Sequence, residues 1–376
     1  MTHEPTPVWL DGDAADAAAF ERLVTRGTRA EDHPLAATVE KGIPIYDGVS
    51  GDRTALTAEW ARAMSEGPGI VVIRGAVDRA AADRATEVFE RMIEEERETG
   101  AGGGDHFAKP GANDRVWNAL GKHAAADPEG FVDYYGAEAL GLVSEAWLGP
   151  GFQMTAQVNR VNPGGAAQVP HRDYHLGFMD PSHAARFPAQ AHRLSPFLTL
   201  QGGIAHCDMD AAMGPTMLLP HSQCFEEGYV AFGRPDFQEV FERHHVQLPL
   251  ETGDALFFNP AVMHGAGTNR SDRPRMVNLL QVSSAMGRSI ETVDRDAAVL
   301  AILPVLASRW PEEGARRALA CAAEGYAYPT NLDRDPPAEG SLAPHTPYEL
   351  TERALESGDA TLLAEVLAAA QERRRA

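Results

Sequence analysis

Two histidines and one aspartate have the residue types and spacing for metal chemistry. In His171-Arg172-Asp173 an imidazole and a carboxylate stand two residues apart. In an extended strand, side chains at i and i+2 leave the same face, so both can reach one ion. His264 supplies a second imidazole from a distant run. Two imidazoles and a carboxylate on three corners of an octahedron are the facial set of non-haem Fe(II) enzymes, with three cis positions left for a co-substrate and O2. Arg275 follows His264 by eleven residues, across a turn rich in Gly, Asn and Ser. A guanidinium entering the next antiparallel strand there can fork onto a carboxylate, such as the one an iron-bound α-keto acid presents.

A rival pair exists in His206-Cys207-Asp208. It runs into the turn signature Met209-Asp210-Ala211-Ala212-Met213-Gly214-Pro215, where Asp208 and Asp210 read as ordinary turn-capping carboxylates. His171 and Asp173 sit instead in an otherwise apolar run, where an ionised carboxylate is costly without a cation beside it. His175 shares their strand face and is read as a substrate contact or pocket wall. Gly265-x-Gly267 lacks the third glycine and the strand–helix context of a dinucleotide loop, so it reads as a turn.

The elements that must position these residues change texture along the chain. Residues 69–74 (GIVVIR) read as a strand and 78–97 as an amphipathic helix. From Phe152 onward, short β-branched and aromatic runs recur at intervals of roughly ten residues, broken by Gly, Pro, Asn and Asp. Eight such runs, including those from Ala167 and His244, fit a mainly β core with flanking helices: a double-stranded β-helix, or jelly roll, of cupin-like form. Helical periodicity returns in the runs from Ala297, Glu312 and Tyr348. The reading divides the chain into a mainly helical N-terminal region with one early strand (1–150), a catalytic β core (151–288) and a helical C-terminal region (289–376).

Composition narrows the classes. The net charge is −21, which repels nucleic-acid phosphates and anionic lipid surfaces. No apolar run reaches the ~18 residues of a membrane span, and the start lacks a secretory pattern. Three cysteines, Cys207, Cys224 and Cys321, argue for reduced thiols and a cytoplasmic protein. Lysine occurs only at Lys41, Lys109 and Lys122, and arginine and alanine are abundant, which suggests a bacterial source. The expected partner is a small-molecule substrate, with neither nucleic acid nor membrane; the oligomeric state is not legible.

Three motifs then meet in order: HRD at 171–173, GPTMLLPHSQ at 214–223 and HGAGTNRSDRPR at 264–275. Together with GIVVIRG from Gly69 they resemble the phytanoyl-CoA dioxygenase family of Fe(II)/2-oxoglutarate oxygenases. The resemblance implies that His171, Asp173 and His264 bind iron, that Arg275 pairs with the distal carboxylate of 2-oxoglutarate, and that a C–H bond is hydroxylated with release of succinate and CO2. Because related halogenases lack the carboxylate ligand, Asp173 favours hydroxylation, desaturation or ring formation. Two positions depart from the family pattern. Pro220-His221-Ser222-Gln223 stands where Pro-Gly-Ser-His is common, and Ala266 where a hydroxyl residue often sits.

The second hydrogen bond to the co-substrate is therefore assigned among Gln157, Thr216 and Lys109, with Gln157 preferred because Gln157 and Asn159 share one strand face just before the ligands. The glycine-rich loop 100–112 reads as a lid, with Phe107 and Lys109 as substrate contacts. Two other readings use the same ligands. One is a metal-dependent cupin-type enzyme without 2-oxoglutarate, against which Arg275 stands; the other is a non-catalytic jelly-roll binding protein.

Overall fold

The computed structural model describes residues 8–99 and 111–375. Eight strands form one mixed sheet: β1 (Thr38–Glu40), β2 (Ile43–Asp47), β3 (Ile70–Arg74), β4 (Asn113–Val116), β5 (Gln153–Val161), β6 (Thr199–Ala205), β8 (Ala255–Phe258) and β10 (Arg275–Ser283). Their order is β1-β2-β3-β8-β6-β10-β5-β4, and β7 (Met217–Leu218) pairs separately with β9 (His264–Gly265). Only β2 and β3 run parallel; the other pairs are antiparallel. Four strands, β1 to β4, fall before residue 150, where the sequence had suggested one. β1 and β2 are too short to show a period, and β4 carries the polar string Asn113-Asp114-Arg115.

The two-stranded sheet is the visible part of a second layer. Single β-bridges join His171 to His264 and Leu218 to Val246, which gives a row His171–His264–Leu218–Val246 facing the main sheet. The runs from Ala167 and His244, expected to be full strands, are therefore reduced to bridges. Pro170 and Pro249 have no N–H to donate to a ladder, and the helix Pro235–His244 claims the start of the second run.

Alternation along β10 sorts the main sheet into two faces. Met276, Leu280 and Val282 point outward with Met154, Ala156 and Val158 of β5 into the larger core, which the helices Arg79–Thr99, Pro128–Tyr135 and Arg295–Arg309 cover. Asn278 is on this face too, and its amide donates to the Tyr134 and Tyr135 hydroxyls at 3.3 and 3.2 Å. The opposite face turns toward the second layer and closes on a smaller core that includes Ile70, Val72, Leu218, Leu256 and Phe258. Among the described residues no helix is long and apolar enough to cross a membrane.

The outer core also buries two histidines. His123 is fully buried among Phe89, Phe131, Tyr134 and Tyr135, and neither ring nitrogen has a hydrogen-bond partner. Burial pulls its pKa down to about 4 and that of His206 down to about 3. The unfolded chain protonates both near 6.5. The unfolded state thus takes up more protons between those values, and stability present above pH 6.5 is lost as the pH falls. Each group accounts for about 2 kcal/mol of that loss by pH 5. Replacing His123 by Phe should leave the urea midpoint at pH 7.5 nearly unchanged and make its fall toward pH 5 shallower; an unaltered slope would show that His123 does not carry the effect.

Candidate metal centre

His171 and His264 are joined by a reciprocal pair of main-chain hydrogen bonds. The N–H of His171 donates to the carbonyl of His264 at 2.9 Å, and the N–H of His264 donates back at 3.0 Å. Asp173 is pinned two residues on, where its N–H donates to the Pro260 carbonyl at 3.0 Å. The expected side-chain convergence is thus reached without a regular strand. The ligand atoms of His171, Asp173 and His264 all lie within 4.8 Å of one another.

Each imidazole is oriented by the same device. Nδ1 of His171 lies 2.8 Å from the Val169 carbonyl, and Nδ1 of His264 lies 2.9 Å from the Val262 carbonyl. A carbonyl only accepts, so each Nδ1 carries the proton and each Nε2 presents a lone pair. Both Nε2 atoms point at Asp173, 3.5 Å from Oδ1 and Oδ2 respectively. With both Nε2 lone pairs facing the Asp173 carboxylate, no proton of either imidazole offsets its charge, and a cation is what the three groups call for. Lone pairs from two nitrogens and an ionised carboxylate facing one point are the donor set of a cation site. The set fits the Fe(II) that the facial arrangement implies.

Two further groups hold the ligands. Gln201, in the middle of β6, donates its amide Nε2 to Asp173 Oδ2 at 2.6 Å. Arg172 turns the other way and is fully buried; its Nη2 donates to the Ser222 carbonyl at 2.7 Å, and its guanidinium lies over the Tyr229 ring. The Ser222 hydroxyl accepts from the Met263 N–H at 2.8 Å, which links the HRD segment to the residue before His264. Sequence reading missed both Gln201 and Arg172. The available signal was a glutamine at an inward position of an apolar strand and an arginine inside an apolar run.

Arg275 opens β10 on the inner face and is 4% exposed. Its Nη1 donates to the Met213 carbonyl at 3.3 Å, and among the described residues no carboxylate pairs with it. Burial pulls its pKa down to about 10. A buried guanidinium without a counter-ion is costly, and an anionic ligand offsets that cost.

Gln157 lies on the same inner face, opposite Leu279, and its Oε1 accepts a hydrogen bond from Arg115. Thr216 is half-buried just before β7 and makes no side-chain hydrogen bond among the described residues. His175 opens the short 3-10 helix His175–Phe178 and does not continue a strand, and its ring is engaged by the Arg288 carbonyl (3.0 Å) and the Thr199 hydroxyl (3.5 Å), two residues before Gln201. Phe107, Lys109 and nearly all of the loop read as a lid lie outside the described residues. His221, standing where the family favours glycine, has φ +68° and meets Arg26 and Thr28 through its ring. The turn therefore keeps the left-handed backbone with a side chain anchored in place of glycine's freedom.

The rival pair is structural. His206 bonds Thr86 and Tyr134 through its two ring nitrogens, both at 2.8 Å. Asp208 accepts from the main-chain N–H and hydroxyl of Thr252 and pairs with Arg79.

The phytanoyl-CoA dioxygenase (PhyH) family model matches residues 47–277. Among solved structures, the chain is similar to SnoN, a non-heme alpha ketoglutarate dependent epimerase from nogalamycin biosynthesis, at 20% identity and TM-score 0.39, covering 62% of this chain and 84% of that one. SnoN in complex with Fe3+, alpha ketoglutarate and nogalamycin RO gives 20% and 0.41, covering 62% and 85%. The carbocyclase SnoK from the same biosynthesis gives 17% and 0.44, covering 66% and 91%. AviO1 from Streptomyces viridochromogenes Tue57 gives 18% and 0.46, covering 64% and 98%. No curated protein sequence matches.

If the three converging donors are the metal site, Asp173→Ala should lower Fe(II) affinity by at least a hundred-fold in anaerobic metal titrations, while Asp208→Ala leaves it unchanged. Retention of iron by the Asp173 variant would refute the assignment.

Proposed function

We propose, on the premise that this chain belongs to the phytanoyl-CoA dioxygenase (PhyH) family of enzymes that use Fe(II), 2-oxoglutarate and O2, that it hydroxylates an unactivated C–H bond of a small organic substrate. In balance, R–H, 2-oxoglutarate and O2 give R–OH, succinate and CO2. The observation that carries this reading is the buried Arg275 without a counter-ion on the sheet face that also holds Gln201, the partner of Asp173. A cupin-type metal enzyme without 2-oxoglutarate has no use for that cation.

Iron with 2-oxoglutarate supplies the oxidising power for the C–H bond; the chain binds, orients and shields. His171 and His264 offer Nε2 in the required tautomer, and Asp173 contributes the negative charge that offsets the ion's. Arg275 is proposed to hold the distal carboxylate of 2-oxoglutarate. Gln157, whose Oε1 is already taken by Arg115, is left its amide Nε2 as the second donor to the co-substrate. Phe258, edge-on to His264 at 4.7 Å, and Leu256 give the site an apolar floor that excludes water. Cys207, Cys224 and Cys321 are all unpaired, which supports a cytoplasmic protein, and the arginine- and alanine-rich, lysine-poor composition supports a bacterial one.

A charge-assisted hydrogen bond contributes on the order of 1.5–3 kcal/mol, so Arg275→Ala should weaken 2-oxoglutarate binding roughly ten- to a hundred-fold. The visible absorption that develops when 2-oxoglutarate is titrated into the anaerobic Fe(II) protein measures it. Iron affinity should survive. Unchanged 2-oxoglutarate affinity, or no such absorption even in the parent protein, would overturn the reading.

A further inference from the structure

One row of the main sheet runs beneath the ligands. Thr155 of β5, Gln281 of β10, Gln201 of β6 and Phe258 of β8 are successive cross-strand partners, so their side chains share the inner face. Phe258 touches His264 at one end of the row, and Gln201 holds Asp173 near its middle. A fatty chain would need apolar residues at the central positions. Two primary amides occupy them instead.

The orientation of the Gln201 amide is dictated by its partner. The Gln201 Nε2 lies 2.6 Å from Asp173 Oδ2, and a carboxylate that ligates a metal only accepts, so the NH2 faces Asp173 and the carbonyl Oε1 is turned away from it. That oxygen is buried and finds no donor, in a side chain only 5% exposed. Its cross-strand neighbour repeats the pattern. Gln281 Oε1 is likewise buried without a donor. Among the described residues neither side chain has a further hydrogen-bond partner, and the Thr155 hydroxyl in the same row donates to the Gln281 main-chain carbonyl. Buried acceptors are rarely left empty, and two side by side next to a metal ligand call for a donor brought from outside the chain.

We propose that Gln201 and Gln281 form a paired-carbonyl subsite that recognises a hydrogen-bond donor, a hydroxyl or protonated amine, on the substrate beside the carbon to be oxidised. The proposal rests on the oxygenase reading for what happens to that carbon. It narrows the substrate to donor-bearing compounds and sets it apart from a plain acyl chain. Gln201 then has two duties, holding Asp173 through nitrogen and substrate through oxygen, while Gln281 has the second alone. Gln281 is therefore the position to alter.

The test uses two rings of nearly equal size that differ in donor capacity. Cyclohexanol can donate; cyclohexanone can only accept. Binding to the full chain loaded with Zn(II) and 2-oxoglutarate is followed by saturation-transfer NMR, which reads the subsite whether or not the co-substrate binds. The 2-oxoglutarate absorption of the Fe(II) protein, recorded separately, judges the oxygenase reading. Cyclohexanol should bind about ten-fold tighter than cyclohexanone, the size of one well-made hydrogen bond. Gln281→Met, close in shape, should bring the two to near equality with Fe(II) affinity unchanged. Gln281→Glu should raise affinity for cyclohexylammonium several-fold. Equal affinities in the parent protein, as expected if the oxygens serve only bound water, would overturn the proposal. So would absence of binding by either ring, or a preference that persists in both Gln281 variants.

Discussion

The site depends on one short interaction, the reciprocal main-chain bridge between His171 and His264. It brings together two segments far apart in sequence, and it does so with backbone atoms, which leaves both imidazoles free to act. The bridge in turn needs support. Beyond it the pairing is carried on only by separate main-chain bonds, from the Gln168 N–H to the Ala266 carbonyl and between Gly164, Gly165 and Asn269, which leaves the ligand residues themselves to be steadied from elsewhere. Arg172, Ser222 and Met263 take over that task from the buried side, and Asp173 is fastened to Pro260. The three candidate ligands, two on irregular backbone and one on the two-residue β9, are held in place because each is fixed by a neighbour that points elsewhere.

That division of labour explains what sequence could and could not disclose. The candidate ligands could be singled out because His-x-Asp with a distant His is a pattern of residue types, and chemistry restricts the types severely; the structure brings the three together. Arg275 was proposed on the same ground. β3, β5, β6, β8 and β10 carry apolar, β-branched or aromatic runs openly, and the β core could be inferred from them. The strands β1, β2 and β4 could not, since three to five residues of mixed polarity acquire strand form only from the neighbours they pair with. The runs from Ala167 and His244 erred the other way. Their composition suits strands, yet they form only isolated bridges, one at His171 and two at Val246 and Leu250. Gln201 was invisible as a partner of Asp173, because nothing in the spacing of residues 173 and 201 announces that a β6 side chain will meet that carboxylate.

The inner face of the main sheet departs from ordinary packing in specific places. An arginine at the start of β10 is buried with one main-chain acceptor, and two amide oxygens at the row Gln281–Gln201 are buried with none. On the outer face of the same strand, Asn278 meets two tyrosine hydroxyls, and Met276, Leu280 and Val282 enter the large core. One strand thus presents an apolar core face and a polar face toward the candidate ligands, separated only by the alternation of side chains, and on the core face Asn278 Oδ1 is itself buried without a donor. The outer face pays for the inner one: its apolar burial against the helices holds β10 in register while Arg275 and Gln281 stay unmatched. Polar groups left unmatched beside a ligand set are preorganised for something the chain does not contain, and their chemistry gives its outline. At Arg275 the missing group is an anion; at Gln201 and Gln281 it is a donor. As proposed, these positions together call for molecules of opposite hydrogen-bonding character, a dicarboxylate acceptor at Arg275 and a donor-bearing substrate at Gln201 and Gln281.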